Sequence, residues 1–336
     1  MNSTLPYLPL FTSTLLLGTF MAISSNQWIY VWMGLEINLL SFIPLIISTS
    51  NNQETESAVK YFLAQATGSG LLLLGVLNHF FFPLMFTGQK MSITLTLLGL
   101  LIKLGMAPCH FWFPSVMAGL SWPMCLILST WQKLVPLLII IFLMKLNSPQ
   151  MSSTPAALSS IVGGLGGLNQ TQLRPILAYS SIGHLGWMLA ASTLSSSTSM
   201  IYFLTYVMII SSIMIMINIL SYSSSKHSSP LSKPPTLHYS LIMLSILSLS
   251  GLPPMTGFLP KWATIELLIS SNQWTLSMIL ILGSLLNLSY YLNVFFSLTL
   301  KSGQTYELKS YTFNPIPALI SIPACWSLPL MLLLMP

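Results

Sequence analysis

Apolar residues run along this chain in blocks of about 20, divided by short stretches that collect Gly, Pro, Ser, Asn and Lys. The blocks lack the alternation of a half-buried strand, and about 20 helical residues cross a bilayer core of about 30 Å. Backbone groups in lipid find no water, which leaves helices or a closed barrel; unalternated runs choose helices. The pattern predicts eleven spans, near 5–23, 28–49, 58–81, 92–121, 124–146, 154–171, 174–195, 199–222, 238–271, 276–299 and 316–334. The fold class is therefore all-α, a polytopic membrane protein of about 11 transmembrane helices.

Two predicted spans are too long for one crossing, about 45 Å for 92–121 and about 50 Å for 238–271. Each carries a breaker cluster near its middle. One is Gly105-Met106-Ala107-Pro108; the other is Gly251-Leu252-Pro253-Pro254, followed by Gly257 and Pro260. Proline removes a backbone donor and clashes with the preceding turn, so both are expected to be interrupted helices. The bland alternative is a pair of simple proline kinks facing lipid.

The breaks lie about 145 residues apart, and the same offset carries the first span onto the sixth and Glu36 onto the neighbourhood of His184. Five spans per unit is odd, so the second unit must insert upside down. The expected organisation is a first five-helix repeat over 1–150 (break near 105–110), an inverted repeat over 151–301 (break near 251–260), and a lateral C-terminal helix over 302–336. Paired broken helices in inverted repeats mark transporter architecture, with the path near the midplane. An N-terminus inside puts Lys60, Arg174, Lys226, Lys233, Lys301 and Lys309 on inner loops against Lys90 and Lys145 outside. That bias predicts an inside N-terminus and an outside C-terminus. Met1 to Pro9 lack a basic leader or an Arg-rich presequence, so the first apolar segment is expected to be a retained span.

Composition agrees: 54% hydrophobic and 5% charged residues exclude a soluble class, which carries about 25% charged. The net charge of +6 is spread thinly, so nucleic acid is not an expected partner. Cys109, Cys125 and Cys325 sit in apolar surroundings and read as small buried hydrophobes.

Four charges fall inside the spans: Glu36 in YVWMGLEINLLSF, Lys103 in LLIKLGMAP, Lys133 in LSTWQKLVPL and Lys261 in GFLPKW. Each costs about 2.5–3.5 kcal/mol at mid-helix on insertion scales, on the order of 10 kcal/mol together. Packing does not call for that expense, and the default reading is a functional route. Burial disfavours the charged form of any ionisable group, so a buried lysine can accept and release a proton where an arginine cannot. Glu36 and Lys103 form the candidate coupled pair. Bland readings stand beside these: Lys133 could snorkel, Lys261 could sit at an interface beside Trp262, and Glu36 could be a structural partner. Glu266 reads as structural. His184 and His110 could relay protons or serve as hydrogen-bonded packing histidines, with nothing in the sequence to decide.

GGLGGLNQ at 163–170 superficially resembles a dinucleotide loop but lacks the third glycine and a preceding strand; Gly163 and Gly167 have the spacing of close helix packing. Cys109-His110 is not metal-ligand spacing, and no P-loop, CxxC or haem-type pair is present. No metal site, redox centre or nucleotide site of the chain's own is expected, so its energy source must be an ion gradient or a partner.

LIKLGMAPCHFWFPSV, LSTWQKLVPL, GGLGGLNQTQLRPILAYSSIGHLGWM and LSLSGLPPMTGFLPKW resemble the subunit 2 family of mitochondrial NADH dehydrogenase (complex I), and MGLEINLLSF resembles that family's glutamate helix. The resemblance runs from about 25 to 300 in the same order. It implies a proton-pumping, antiporter-like subunit of the inner-membrane NADH:ubiquinone oxidoreductase, with the N-terminus on the matrix side. Glu36 and Lys103 fall on the family's first half-channel, Lys133 on its central lysine and Lys261 on its second half-channel. NADH, FMN, Fe-S clusters and ubiquinone are then expected in other subunits, with membrane-arm and accessory subunits as partners and membrane lipids, cardiolipin among them, around the chain. Two positions depart from the family: Ser115 stands where relatives carry an acid, and Pro175 follows Arg174 where a lysine is common. The rival readings are a stand-alone cation/proton antiporter and a non-conducting scaffold of the membrane arm.

Overall fold

The computed structural model describes residues 7–47, 52–81, 86–146, 150–226, 236–253 and 255–303, and every regular element among them is an α-helix. In chain order these are α1 (Tyr7–Ser24), α2 (Trp28–Ile46), α3 (Asn52–Phe81), α4 (Phe86–Leu104), α5 (Trp112–Gly119), α6 (Trp122–Ser129) and α7 (Trp131–Leu146). There follow α8 (Gln150–Leu168), α9 (Leu173–Ser192), α10 (Ser196–Lys226), α11 (Thr236–Ser250), α12 (Phe258–Ser270) and α13 (Trp274–Gly303). The eleventh predicted span and the lateral segment over 302–336 lie outside the described residues, Lys301 to Gly303 of α13 apart.

Both long predicted spans are interrupted. The first divides into α4 and α5, the second into α11 and α12. A third interruption was not anticipated: the predicted span 124–146 divides into α6 and α7 at Thr130. Its cause is in the sequence. Pro136 has no N–H to give the Gln132 carbonyl four residues back. At Thr130 both the backbone N–H and the hydroxyl donate to Leu126 O, which ends α6. Pro123 near the start of α6 occupies the first turn, where a missing donor costs nothing.

Among the described residues, five segments are long and apolar enough to cross a membrane: Trp28–Ile46, Asn52–Phe81, Trp122–Met144, Ser196–Leu220 and Trp274–Thr299. The many Ser and Thr residues fit such surroundings because their hydroxyls bond back to carbonyls of their own helix, as Ser41 does to Asn38 and Ser69 to Ala66.

The chain divides into two compact units. One comprises residues 1–155 with 171–178, the other residues 156–170 and those from 179 on. In the first unit α1 packs on α2, α3 packs on α2, α4 and α5, and α7 packs on α4 and α6. Small residues set those distances: a Cβ on Gly34 would stand 2.7 Å from Gly18 O, so α1 and α2 meet backbone to backbone. In the second unit α10 packs on α11 and α12, and α13 packs on the same two helices. The Gly163-Gly167 helix is held as expected, since a Cβ on Gly163 would meet the backbone of Gly183 at 2.6 Å.

Candidate functional site

In the first unit the break after α4 is closed by partners for three of its last carbonyls. Gly105 adopts a positive φ of 72°. Its N–H donates to Ile102 O at 3.0 Å, and Met106 N–H reaches Leu101 O at 3.0 Å, the reciprocal pair that ends a helix on a left-handed glycine. Trp112 Nε1 donates a second bond to Ile102 O (3.0 Å), and Gln65 Nε2 of α3 donates to Lys103 O (3.1 Å). The broken end is therefore held rigidly, and it carries Lys103 in its last turn. The Lys103 stem crosses α3 at Gly68, where a Cβ would lie 3.1 Å from Lys103 Cγ.

Glu36 lies mid-way along α2, and its Oε1 is enclosed with no hydrogen-bond donor among the described residues. Its charge acts on Lys103 and on the Tyr61 hydroxyl, with no salt bridge to Lys103 among the described residues. Lys133, on α7, is 2% exposed, and its Nζ stands 4.4 Å from the centre of the Phe113 ring of α5. Such a cation–π contact, out of water, contributes about 2 kcal/mol. His110 is buried within the break, its Nδ1–H donating to Pro108 O at 3.1 Å.

In the second unit Gly251 follows the last turn of α11 with a positive φ of 83°. Lys261, in the first turn of α12 and 6% exposed, reaches back so that its Nζ donates to Ser250 O at 2.8 Å. A helix leaves its last carbonyls without partners and gathers partial negative charge there, so an ammonium both satisfies the carbonyl and is itself stabilised. His184 of α9 is buried, its Nδ1 hydrogen-bonded to the Tyr202 hydroxyl of α10 at 2.9 Å. A cavity of about 10 Å³ lies between His184, Tyr202, Tyr206, Leu249, Gly257 and Pro260, the space of about one water molecule. His184 and the second break thus border one cavity.

The structure brings Glu36 and Lys103 into electrostatic reach and buries all three lysines. Sequence reasoning did not single out Asn38, Tyr61, Gln65 or Gln132, which hydrogen-bond around the first unit's charges, or Tyr202, which bonds His184. A signal was available for two of them: Asn38 and Gln132 are amides inside apolar runs, a costly placement without partners. Arg174, the one arginine, stacks over Trp122 with its Cζ 5.0 Å from the ring centre and donates to Ala118 O, a structural anchor of the first unit.

A sequence profile of the family described as "NADH:quinone oxidoreductase/Mrp antiporter, TM" matches residues 25–287. The chain belongs to that family. Within the antiporter family it is similar to NADH-ubiquinone oxidoreductase chain 2 of Lumbricus terrestris, 48% identical over 295 residues that make up 87% of each chain. The chain of that name from Varanus baritji is 36% identical over 347 residues, 99% of both. Among solved structures, a chain of respiratory complex I from Thermus thermophilus with bound aureothin shares the fold, with a TM-score of 0.78 at 24% identity. That match covers 94% of this chain and 75% of the other.

Proposed function

We propose that this family member is the antiporter-like subunit 2 of mitochondrial NADH:ubiquinone oxidoreductase and carries protons across the inner membrane through Glu36, Lys103, Lys133 and Lys261. The observation that supports this best is three deeply buried lysines, two of them at interrupted helix ends, in a chain 48% identical to a named chain 2. Each lysine has a feature that stabilises a held proton: Lys103 is within reach of Glu36, Lys133 stands over an aromatic face, and Lys261 lies on a helix-terminal carbonyl.

In this reading protons enter from the matrix, pass Lys103, Lys133 and Lys261, and leave to the intermembrane space, with His184 and His110 as further relays. The N-terminus faces the matrix, following the bias of lysines on the inner loops. The five-helix segments ending near 150 and 301 act as inverted repeats around the two breaks. The driving force comes from NADH oxidation and ubiquinone reduction in other subunits, where FMN and the Fe-S clusters reside. Partners are the neighbouring membrane-arm and accessory subunits, with cardiolipin among the surrounding lipids.

The test is purification from mild detergent. A rotenone-sensitive, NADH-oxidising assembly that retains this chain, and whose proton pumping falls when Lys261 is changed to Met, is the expected result. Recovery of the chain alone, exchanging sodium for protons in liposomes, would overturn the assignment.

A further inference from the structure

The first unit holds a chain of side-chain hydrogen bonds that joins three helices at the level of the candidate pair. The Tyr61 hydroxyl of α3 donates to Gln132 Oε1 of α7 at 3.3 Å, and Gln132 Nε2 donates to Asn38 Oδ1 of α2 at 2.9 Å. Asn38 and Tyr61 are buried, and Gln132 is partly buried. One end and the middle of this clasp lie next to charges in the sequence. Asn38 stands two residues from Glu36 on α2, and Gln132 immediately precedes Lys133. One turn on from Tyr61, Gln65 grips the Lys103 carbonyl, so α3 holds α7 and α4 through two polar contacts a turn apart, and α2 is joined through Gln132.

We infer that Gln132 is a positioning residue whose amide bridge between Asn38 and Tyr61 sets the separation of Glu36 from Lys103. This rests on the proton-carrying role proposed above for those two residues. A primary amide fits the task because it supplies a donor to one neighbour and an acceptor to the other at once. It also has no proton to give up in the working pH range, so it orients the pair without competing for the carried proton. Glu36 and Lys103 do not touch, so their interaction varies with distance and surroundings, and a fixed separation must come from the scaffold. The titratable groups in electrostatic reach of Glu36 on α2 are its partner Lys103 on α4 and Tyr61 on α3.

The test uses the assembled complex in inner-membrane vesicles. Gln132→Leu removes both bonds at similar volume. Tyr61→Phe removes one hydroxyl and keeps the ring's edge-on packing against Phe42 and Trp112. Both variants should assemble and oxidise NADH, pump fewer protons per electron, and displace the pH profile of pumping by about one unit, a tenfold change in a proton equilibrium. Ser69→Ala, which loses only a bond to its own helix, should keep the native profile. A native profile in Tyr61→Phe overturns the inference, whether or not Gln132→Leu assembles. Loss of pumping in Tyr61→Phe with a native Gln132→Leu also overturns it, by making Tyr61 the relay. Glu36→Gln run alongside separates the two levels: native pumping there defeats the role of Glu36 itself, whereas lost pumping there with native clasp variants defeats the positioning role alone.

Discussion

Changing Gly251 to Ala tests how the second break holds its lysine. Gly251 has a φ of 83°, and an L residue in that region costs roughly 1–2 kcal/mol. The new Cβ would stand 2.7 Å from Lys261 Nζ and 3.1 Å from its Cδ and Cε. Those atoms end a flexible side chain, so the lysine yields rather than the backbone. Yielding breaks the 2.8 Å bond to Ser250 O, and a hydrogen bond to a charged group is worth about 1.5–3 kcal/mol. The total loss is about 2.5–5 kcal/mol, read as thermal stability of the assembled complex and as protons pumped per NADH. A double-mutant cycle isolates the lysine's share. In a Lys261→Met background the same glycine change should cost only the backbone part, about 1–2 kcal/mol, leaving a coupling of roughly 2 kcal/mol. An equal cost in both backgrounds would refute the contact between Gly251 and Lys261; no cost in either would refute the strain. Gly70→Ala serves as the control, because a Cβ there meets nothing within 4 Å and alanine is the better helix former by about 1 kcal/mol.

Lys133→Met should assemble normally and lose coupled pumping, since the exchange removes the cost of burying an ammonium, about 2.5–3.5 kcal/mol, against a cation–π contact of about 2. A normal proton-to-electron ratio in inner-membrane vesicles would end its proposed role. Glu36→Gln should give a milder defect of the same kind, because its charge acts on Lys103 from beyond salt-bridge range; the ratio measured across pH checks this. Gly34→Val should drive α1 away from α2, since even a Cβ would stand 2.7 Å from Gly18 O. Native gels should then show reduced assembly, and an unchanged yield would mean the two helices do not need that approach.

How much of this was legible in the sequence follows from which signals are local. Both long breaks announced themselves through Gly105 and Gly251, because a span too long for the bilayer with glycine and proline inside must interrupt. The break at Thr130 went unread because its segment has the length of one ordinary crossing, and length was the criterion. Pro136 carried part of the information, but Pro44 and Pro155 lie inside unbroken helices, so a proline alone does not mark a break. The buried charges stood out against apolar runs. Their partners did not: which of several mid-span amides meets Lys103, or bridges α2 to α7, depends on pairs 38 to 94 residues apart in sequence. Periodicity along one helix says nothing about such pairs.

The two breaks place their lysines by opposite routes to the same physical end. Lys103 belongs to the helix that stops, lying two residues before the glycine that stops it, while Lys261 belongs to the next helix and reaches back across its glycine. In both cases the ammonium is near negative charge: Lys261 Nζ sits on a helix C-terminus, where the peptide dipoles gather roughly half a negative charge, and Lys103 is within electrostatic reach of Glu36. That arrangement lowers the cost of a buried cation without fixing it in a salt bridge, and the difference matters for transport. A carboxylate in contact would hold the proton tightly, since breaking a buried pair costs about 3–5 kcal/mol. A helix end and a carboxylate held beyond contact, as Glu36 is from Lys103, offer a weaker grip that small changes of distance or hydration can tip. In the proposed relay, the interrupted helix is thus what makes Lys261 tolerable at this depth and leaves its proton free to move.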